Sequence, residues 1–131
     1  IKLSILVNKN LRLLGDSDQL RRLFGKLIEN AINYTPNEGI VEIKDRRVGS
    51  QWYIDVRDTG VGIAPEQLKQ VFDRFWRADR SRSYNSGGSG LGLEIAQAIA
   101  QNHGGFITVT SQVEVGSCFT VRLPTSATSV L

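Results

Sequence analysis

Two strand-like runs, residues 41–48 and 51–58, are separated only by Gly49 and Ser50 in the middle of the chain. So short a connection joins antiparallel neighbours, because parallel strands need a crossover of a dozen residues or more. Apolar residues alternate along the second run, which is typical of a strand with one buried face. The sheet is therefore predicted to contain a hairpin, and because alternating βαβ units are absent from the chain, a doubly wound parallel sheet is not predicted.

A long amphipathic helix is predicted just before the hairpin. Apolar residues there recur at i, i+3, i+4, i+7, i+8 and i+11 and share one face: Leu20, Leu23, Phe24, Leu27, Ile28 and Ala31. Asp16 or Ser17 can cap its start, and Gln19 stands three residues after Asp16, as in a capping box. Thr35-Pro36 ends the helix, because the residue before a proline avoids helical geometry.

Other patterns supply the remaining elements. They are short strands at 3–7 and 11–14, a short helix at 65–71, a helix from Leu91 that Gly104-Gly105 stops, and closing strands at 106–111 and 117–123. The apolar residues predicted to anchor that second long helix are Leu91, Ile95, Ala98 and Ile99. Strands before, between and after helices predict an α/β (α+β) two-layer sandwich, with a mixed, mostly antiparallel sheet of about five strands covered on one face by about three helices.

The chain has 131 residues, of which 40% are hydrophobic, so one domain with its own core is predicted at 1–124. Residues 125–131 are predicted to be a flexible tail. The lack of methionine and the start at Ile1 indicate a piece of a longer protein. The lone Cys118 cannot form an internal disulfide, and no apolar run is long enough to span a membrane, so a cytoplasmic location is predicted.

The formal net charge of +3 permits a nucleic-acid partner, so the position of the basic residues matters. Four arginines crowd one short segment: Arg74, Arg77, Arg80 and Arg82. The aromatic residues beside them, Phe72, Phe75 and Trp76, lack the strand-borne pattern of RNA-binding domains. We predict no nucleic-acid partner and no membrane contact for this fragment, and a nucleic-acid-binding domain that uses the arginine cluster stays an alternative.

A carboxylate ends the second strand of the hairpin on its apolar side, since Asp58 has the same parity as Trp52 and Val56. Burying an unpaired carboxylate is unfavourable, so a backbone amide, a water or a ligand amine must donate to it. Gly60 and Gly62 follow, and they allow a tight turn close to a flat ligand. An Asp-x-Gly turn with a local side-chain to backbone bond is the simpler interpretation.

The first helix carries polar residues beside its apolar stripe. Asn30 and Tyr34 lie on one flank of the stripe, and Lys26 and Asn33 lie further round the same side. An asparagine carbonyl is a good ligand for Mg²⁺, which takes few protein ligands. The alternative is that Asn30 is a structural amide whose hydrogen bonds are satisfied within the fold.

The stretch GGSGLGLEIAQAIA places glycines directly before a helical pattern. Position 93 is Leu93, so the G-x-G-x-x-G of dinucleotide-binding loops is missing, and no lysine is present for a Walker loop. The preceding residues 77–86 are polar and charged, which predicts a mobile loop. Free backbone amides at the start of a helix and arginine side chains in such a loop are both suited to binding phosphate. The alternatives are that the glycines form only a flexible entry to the helix and that the charged residues are a solvated run.

Taken in this order, the segments resemble the ATP-binding catalytic domain of bacterial sensor histidine kinases, within the gyrase-like GHKL ATPase and kinase superfamily. LIENAINYTP is similar to the asparagine box of that family, DTGVGI to its first glycine box, FDRFWRAD to its phenylalanine box and GGSGLGL to its second glycine box. HGG and GSCFTVRLP resemble its closing segments. The similarity covers residues 1–124 and implies a Bergerat-type ATP-binding fold.

The resemblance also implies ATP and Mg²⁺ as cofactors and suggests a role for each matching residue. Asn30 would hold the Mg²⁺ that bridges the phosphates, and Asp58 would accept from the adenine amino group. Arg77 and Arg82, in a lid over the nucleotide, would act on the phosphates with Asn30 as catalytic residues. The other ATP-binding residues would be Asn33, Tyr34, Gly60, Gly62, Ile63, Gly88, Ser89, Gly90, Leu91 and Gly92.

Two positions depart from the family pattern. The family often has an asparagine four residues before the metal-binding asparagine and a basic residue before the box tyrosine, where this chain has Lys26 and Asn33. Because the two positions share a helix flank, we hypothesise that Lys26 supplies the phosphate-facing charge that position 33 lacks. The ATPase branch of the superfamily has a glutamate base at position 26, so the lysine disfavours an ATP hydrolase.

The implied activity is transfer of the γ-phosphoryl group of ATP to a histidine on another domain. His103, the only histidine, is predicted to serve a helix end rather than to accept phosphate. The implied partners are a histidine-containing dimerisation domain before Ile1 and a response regulator, with this fragment monomeric and the parent kinase cytoplasmic or anchored in a membrane. The alternatives are a serine-kinase relative, a non-catalytic nucleotide-binding regulatory module and a nucleic-acid-binding domain.

Overall fold

A five-stranded sheet forms one layer of the molecule in the computed structural model, which describes residues 2–6, 16–73 and 92–124. The strands are β1 (Lys2–Leu6), β2 (Ile40–Val48), β3 (Gln51–Asp58), β4 (Phe106–Gln112) and β5 (Gly116–Pro124), in the spatial order β1-β2-β3-β5-β4. β1 runs parallel to β2, and the other three neighbouring pairs are antiparallel. The hairpin predicted across Gly49 and Ser50 is the β2–β3 pair.

Within the described ranges, two α-helices, α1 (Ser17–Asn33) and α2 (Gly92–Asn102), and a 3₁₀ helix (Pro65–Gln70) pack against the sheet. The mixed, mostly antiparallel sheet with its helices confirms the predicted two-layer sandwich. Within the three described ranges, no helix is long and apolar enough to cross a bilayer. The predictions for residues 11–14, 77–86 and 125–131 lie outside the described residues.

The core lies between the two α-helices and one face of the sheet. Its buried apolar side chains include Leu23, Leu27 and Ala31 of α1, Leu93, Ala96, Ile99 and Ala100 of α2, and Val41, Ile54, Val56, Phe119, Val121 and Leu123 of the strands. The predicted face of α2 is wrong at Ala98, which is exposed, and Ile95 is only half-buried. Apolar residues surround most of this helix, so its periodicity alone does not determine which side packs inward.

The start of α1 differs from the predicted capping box. Asp16 is the N-cap, and its Oδ1 accepts from the backbone N–H groups of Asp18 at 2.9 Å and Gln19 at 3.0 Å. In a capping box, the Gln19 side chain would accept from the backbone N–H of Asp16. That N–H donates instead to Nε2 of His103 at 3.0 Å, while Nδ1 of His103 bonds to the carbonyl of Ile99 at 2.8 Å. His103 therefore serves the end of α2, as predicted, and also ties it to the start of α1.

Replacing Asp16 with alanine is expected to lower the free energy of unfolding by about 1 kcal/mol, the usual effect of losing an N-cap side chain. Urea denaturation measures this difference. Ser17→Ala is the matched control, because the carboxylate of Asp16 makes the capping bonds. Equal losses in the two variants would contradict the assignment of the cap.

Candidate functional site

A buried carboxylate lies at the end of β3. Asp58 is 4% exposed and lies on the core face of the sheet, as its parity predicted. Its Oδ1 accepts from the backbone N–H of Gly60 at 2.8 Å and from that of Ser117 on β5 at 3.3 Å. Burial raises the pKa of Asp58 above its ordinary value of 3.8, and the two backbone bonds lower it by a smaller amount. The bond to Gly60 is the local turn expected from the sequence, and the bond to Ser117 adds a long-range donor.

The turn after β3 is held between the end of α1 and the β4–β5 hairpin. The N–H of Val61 donates to the carbonyl of Tyr34 at 3.1 Å. A side chain at Gly60 would collide with that same carbonyl, and one at Gly62, where φ is +74°, would collide with the backbone of Gln112. These glycines therefore let the turn approach the protein's own backbone, a constraint that the sequence pattern did not reveal.

Two serines beside Asp58 form a polar cluster that was not predicted. Ser117 is 7% exposed and pairs in the sheet with Asp58 on one side and with Ser111 on the other. The Oγ of Ser111 lies 2.7 Å from the amide N of Ile63, 3.0 Å from the carbonyl O of Gly116 and 2.8 Å from the Oγ of Ser117. The parity that revealed Asp58 also identifies Ser117, which falls on the apolar side of its strand.

The last turn of α1 brings its polar flank to the same region. Tyr34 is the C-cap, and its N–H donates to the carbonyl of Asn30 at 3.2 Å. Asn30 and Asn33 are both half-buried. Among the residues that the structure describes, no hydrogen bond engages the side-chain amide of Asn30. Those residues therefore give no support to the alternative of a satisfied structural amide.

Lys26 lies where α1 meets the first described residue of α2. A Cβ added at Gly92 would lie 3.3 Å from Cδ of Lys26 and 3.8 Å from its Cβ, so the lysine stem runs past this glycine. A basic side chain thus accompanies the beginning of α2. The remaining residues predicted on the phosphate side lie outside the described residues: Arg77, Arg82, Gly88, Ser89, Gly90 and Leu91.

A model of the family described as histidine kinase-, DNA gyrase B-, and HSP90-like ATPase matches residues 15–127. The chain is 49% identical over 115 residues to the sensor-like histidine kinase SenX3 of Mycobacterium tuberculosis and 48% identical over 110 residues to the sensor histidine kinase RppB of Synechocystis sp.. These matches cover 88% and 84% of this chain, but only 28% and 24% of the two relatives. The chain thus spans about a quarter of the length of these curated relatives.

Solved structures of histidine kinases share the fold of this chain. The mycobacterial sensor histidine kinase MprB matches with a TM-score of 0.84 and 27% identity, over 95% of this chain and 83% of its own. The catalytic domain of the histidine kinase ThkA gives 0.79 and 25%, over 94% and 78%. Full-length ShkA, solved in complex with AMPPNP, gives 0.78 and 25%, over 95% of this chain and 25% of its own. These matches confirm the fold class that the sequence predicted.

Proposed function

The chain belongs to the family of histidine kinase-, DNA gyrase B- and HSP90-like ATPases, and we propose that it binds Mg-ATP and donates the γ-phosphoryl group to a histidine on a separate domain. The observation that carries this proposal is the buried carboxylate of Asp58, whose pKa is raised by burial. A buried negative charge in that position destabilises the fold, and a ligand that donates a hydrogen bond to the carboxylate stabilises the charge. Asp58 is therefore a favourable acceptor for such a ligand. The amino group of adenine is the donor that the family resemblance implies.

The residues around Asp58 suit a flat purine base. Gly60, Gly62 and Ile63 form the turn that follows the carboxylate, and Ile63 is 6% exposed. The carbonyl of Tyr34 fixes that turn at the end of α1. We assign these residues to the wall of the adenine pocket, with Asp58 as the group that accepts from the base.

The phosphate side of the site would be formed by α1 and the start of α2. Asn30 would hold the Mg²⁺, which keeps most of its ligands as water and phosphate oxygens and needs few from protein. Asn33 lies in the same turn, and Gly92 offers backbone to the phosphates near the start of α2. Arg77, Arg82 and the glycine-rich residues Gly88, Ser89, Gly90 and Leu91 are assigned to the phosphates on the family resemblance. Bound Mg²⁺ would neutralise charge on the phosphate oxygens.

Phosphoryl transfer depends mainly on positioning and charge stabilisation. The residues of this chain would hold the adenine and orient the triphosphate, while the acceptor imidazole forms the new N–P bond and ADP leaves. His103 does not suit the acceptor role, because both of its ring nitrogens are engaged with backbone groups. The acceptor is therefore assigned to another domain.

We assign the phosphoacceptor histidine to another domain of the parent protein, and the next phosphoryl acceptor to a partner protein. The chain spans about a quarter of the length of relatives named as sensor kinases. The rest of a parent protein of similar length would be long enough to contain a histidine-containing dimerisation domain. A response regulator would then receive the phosphoryl group. Residues 1–124 would act as the catalytic domain, with residues 125–131 as a tail, in the cytoplasm and as a monomer when isolated.

A mixing experiment tests the proposed activity. The chain is incubated with γ-labelled Mg-ATP and the purified dimerisation domain of its parent kinase, and acid-labile, base-stable phosphohistidine on that domain is measured. Label on the acceptor histidine supports the proposal, and its loss when that histidine is replaced by glutamine provides the control. ATP binding without transfer would favour a regulatory module, and acid-stable phosphoserine would indicate the serine-kinase alternative.

Replacing Lys26 with alanine is expected to weaken Mg-ATP binding about 5-fold, because one cation near the phosphates would be lost at a partly solvated position. Isothermal titration calorimetry measures the change. Arg22→Ala is the control, since Arg22 is an exposed cation one turn earlier on the same helix. An unchanged affinity in Lys26→Ala would remove Lys26 from the phosphate site.

A further inference from the structure

The hydroxyl of Ser111 has three neighbours that together determine where its proton lies. A serine hydroxyl has one proton to donate and two lone pairs that accept. The carbonyl O of Gly116, 3.0 Å away, can only accept, and the N–H of Ile63, 2.7 Å away, can only donate. When Ser111 donates to Gly116, the remaining 2.8 Å contact requires Ser117 to donate to Ser111. This assignment satisfies all three contacts at once.

The direction of that last bond decides what Ser117 presents to the adenine site. With its proton directed at Ser111, the Oγ of Ser117 has only lone pairs left for other neighbours. Ser117 and Asp58 are partners in the sheet, and the Ser117 N–H already donates to the Asp58 carboxylate. With Asp58 ionised, the two side chains therefore present acceptors side by side, and neither presents a proton.

We propose that Ser111 is a specificity-determining residue, which makes the site select an amino group over a carbonyl at position 6 of a purine by holding the Ser117 hydroxyl as an acceptor. Adenine has an amino group at this position, whereas hypoxanthine and guanine have a carbonyl. Two adjacent acceptors attract the N–H groups of the amine and repel the carbonyl oxygen. The inference rests on the proposed function, because it assumes that the base lies against Asp58.

Ser111 also positions the turn that borders the base. Its Oγ is the acceptor for the N–H of Ile63, and Ile63 lies in the turn assigned to the adenine pocket. Loss of the hydroxyl would leave that N–H without this partner and loosen the turn. This second effect lowers the affinity for every purine nucleotide by the same factor. The ratio of the affinities for two nucleotides in the same variant therefore reports base selection alone.

The test compares the affinities of the 131-residue chain for Mg-ATP and Mg-ITP by calorimetry. The two nucleotides differ at position 6 and in the proton on the adjacent ring nitrogen. In Ser111→Ala the proton of Ser117 is released and can turn to donate to a carbonyl, so the ratio of ATP to ITP affinity is expected to fall about 10-fold. Ser111→Thr keeps the hydroxyl and should retain the ratio. Thr110→Ala, whose exposed side chain points to the other face of β4, is the matched control.

Each outcome has one meaning. An unchanged ratio in Ser111→Ala overturns the inference, and it leaves the proposed function intact if Asp58→Asn still loses ATP affinity. If Asp58→Asn keeps its affinity, the adenine assignment itself is wrong. Should Ser111→Ala fail to fold, Ser117→Ala takes its place, because it deletes the hydroxyl whose direction is at issue. A lowered ratio there supports the inference, and an unchanged ratio overturns it.

Discussion

An Asp58→Asn variant is expected to bind ATP about 100-fold more weakly than the wild-type chain and yet to be no less stable at neutral pH. The amide oxygen of the new side chain can keep the bonds from Gly60 and Ser117. Its NH₂ group would then face the adenine amino group, donor against donor. The variant loses a hydrogen bond to a charged acceptor and leaves a buried donor unpaired. Together these changes weaken the free energy of binding by about 3 kcal/mol, which corresponds to roughly 100-fold in affinity.

The stability of the same variant follows from the pKa of Asp58. Burial raises that pKa in the folded chain above 3.8, so the folded state binds a proton more tightly than the unfolded state. The wild-type free energy of unfolding therefore falls as pH rises from about 3.8 through the raised pKa, and it stays lower above it. Asparagine does not titrate, so the variant should lack this loss and be at least as stable at pH 7.

Calorimetric titration with Mg-ATP and urea unfolding across this pH range measure the two effects. Asp55→Asn is the matched control, because Asp55 lies on the same strand and its carboxylate accepts from Arg46 and Thr120. That variant should keep its ATP affinity and lose some stability. Wild-type affinity in Asp58→Asn would falsify the adenine assignment, whereas a loss of stability at pH 7 would show that the carboxylate supports the fold.

An Asn30→Ala variant is expected to transfer phosphate to the acceptor domain about 1,000-fold more slowly than the wild type. We expect this because the Mg²⁺ assigned to Asn30 would be lost or misplaced, and with it the charge stabilisation of the transferring group. Affinity for ATP measured without Mg²⁺ should change little. The rise in affinity that Mg²⁺ causes in the wild type should be absent.

Phosphohistidine formation on the acceptor domain, and ATP titrations with and without Mg²⁺, measure these effects. Glu29→Gln is a suitable control, since Glu29 is an exposed acid one residue earlier on the same helix. If Asn30→Ala keeps the full response to Mg²⁺, the metal must be held elsewhere.

Much of the fold could be predicted because its signals are local. The β2–β3 hairpin and the α1 helix follow directly from alternation and helical periodicity. Asp58 could be placed on the core face for the same reason, since side chains alternate along a strand. By contrast, α2 is apolar on most sides, so the prediction that Ala98 packs inward was wrong.

The contacts that build the site were harder to predict, because they join residues distant in sequence. Nothing local indicates that His103, rather than Gln19, accepts from the N–H of Asp16. The Ser111 contact with Ile63 likewise depends on how the sheet is ordered. Ser117 is different, because the alternation along β5 is a local signal that places it on the apolar side of the strand. The roles of Arg77, Arg82 and the glycine-rich segment stay predictions.

The position of β5 in the sheet affects how the protein folds during its synthesis on the ribosome. β5 lies between β3 and β4, so Gln51 at the start of β3 pairs with Pro124, which is synthesised much later. The turn after β3 also takes its donors from beyond β4, through the N–H of Glu114 to the carbonyl of Val61. Until β5 emerges, β3 has an open edge on that side, and an open edge favours association with other chains. We therefore expect nascent chains that stop before β5 to need a chaperone and to bind no nucleotide.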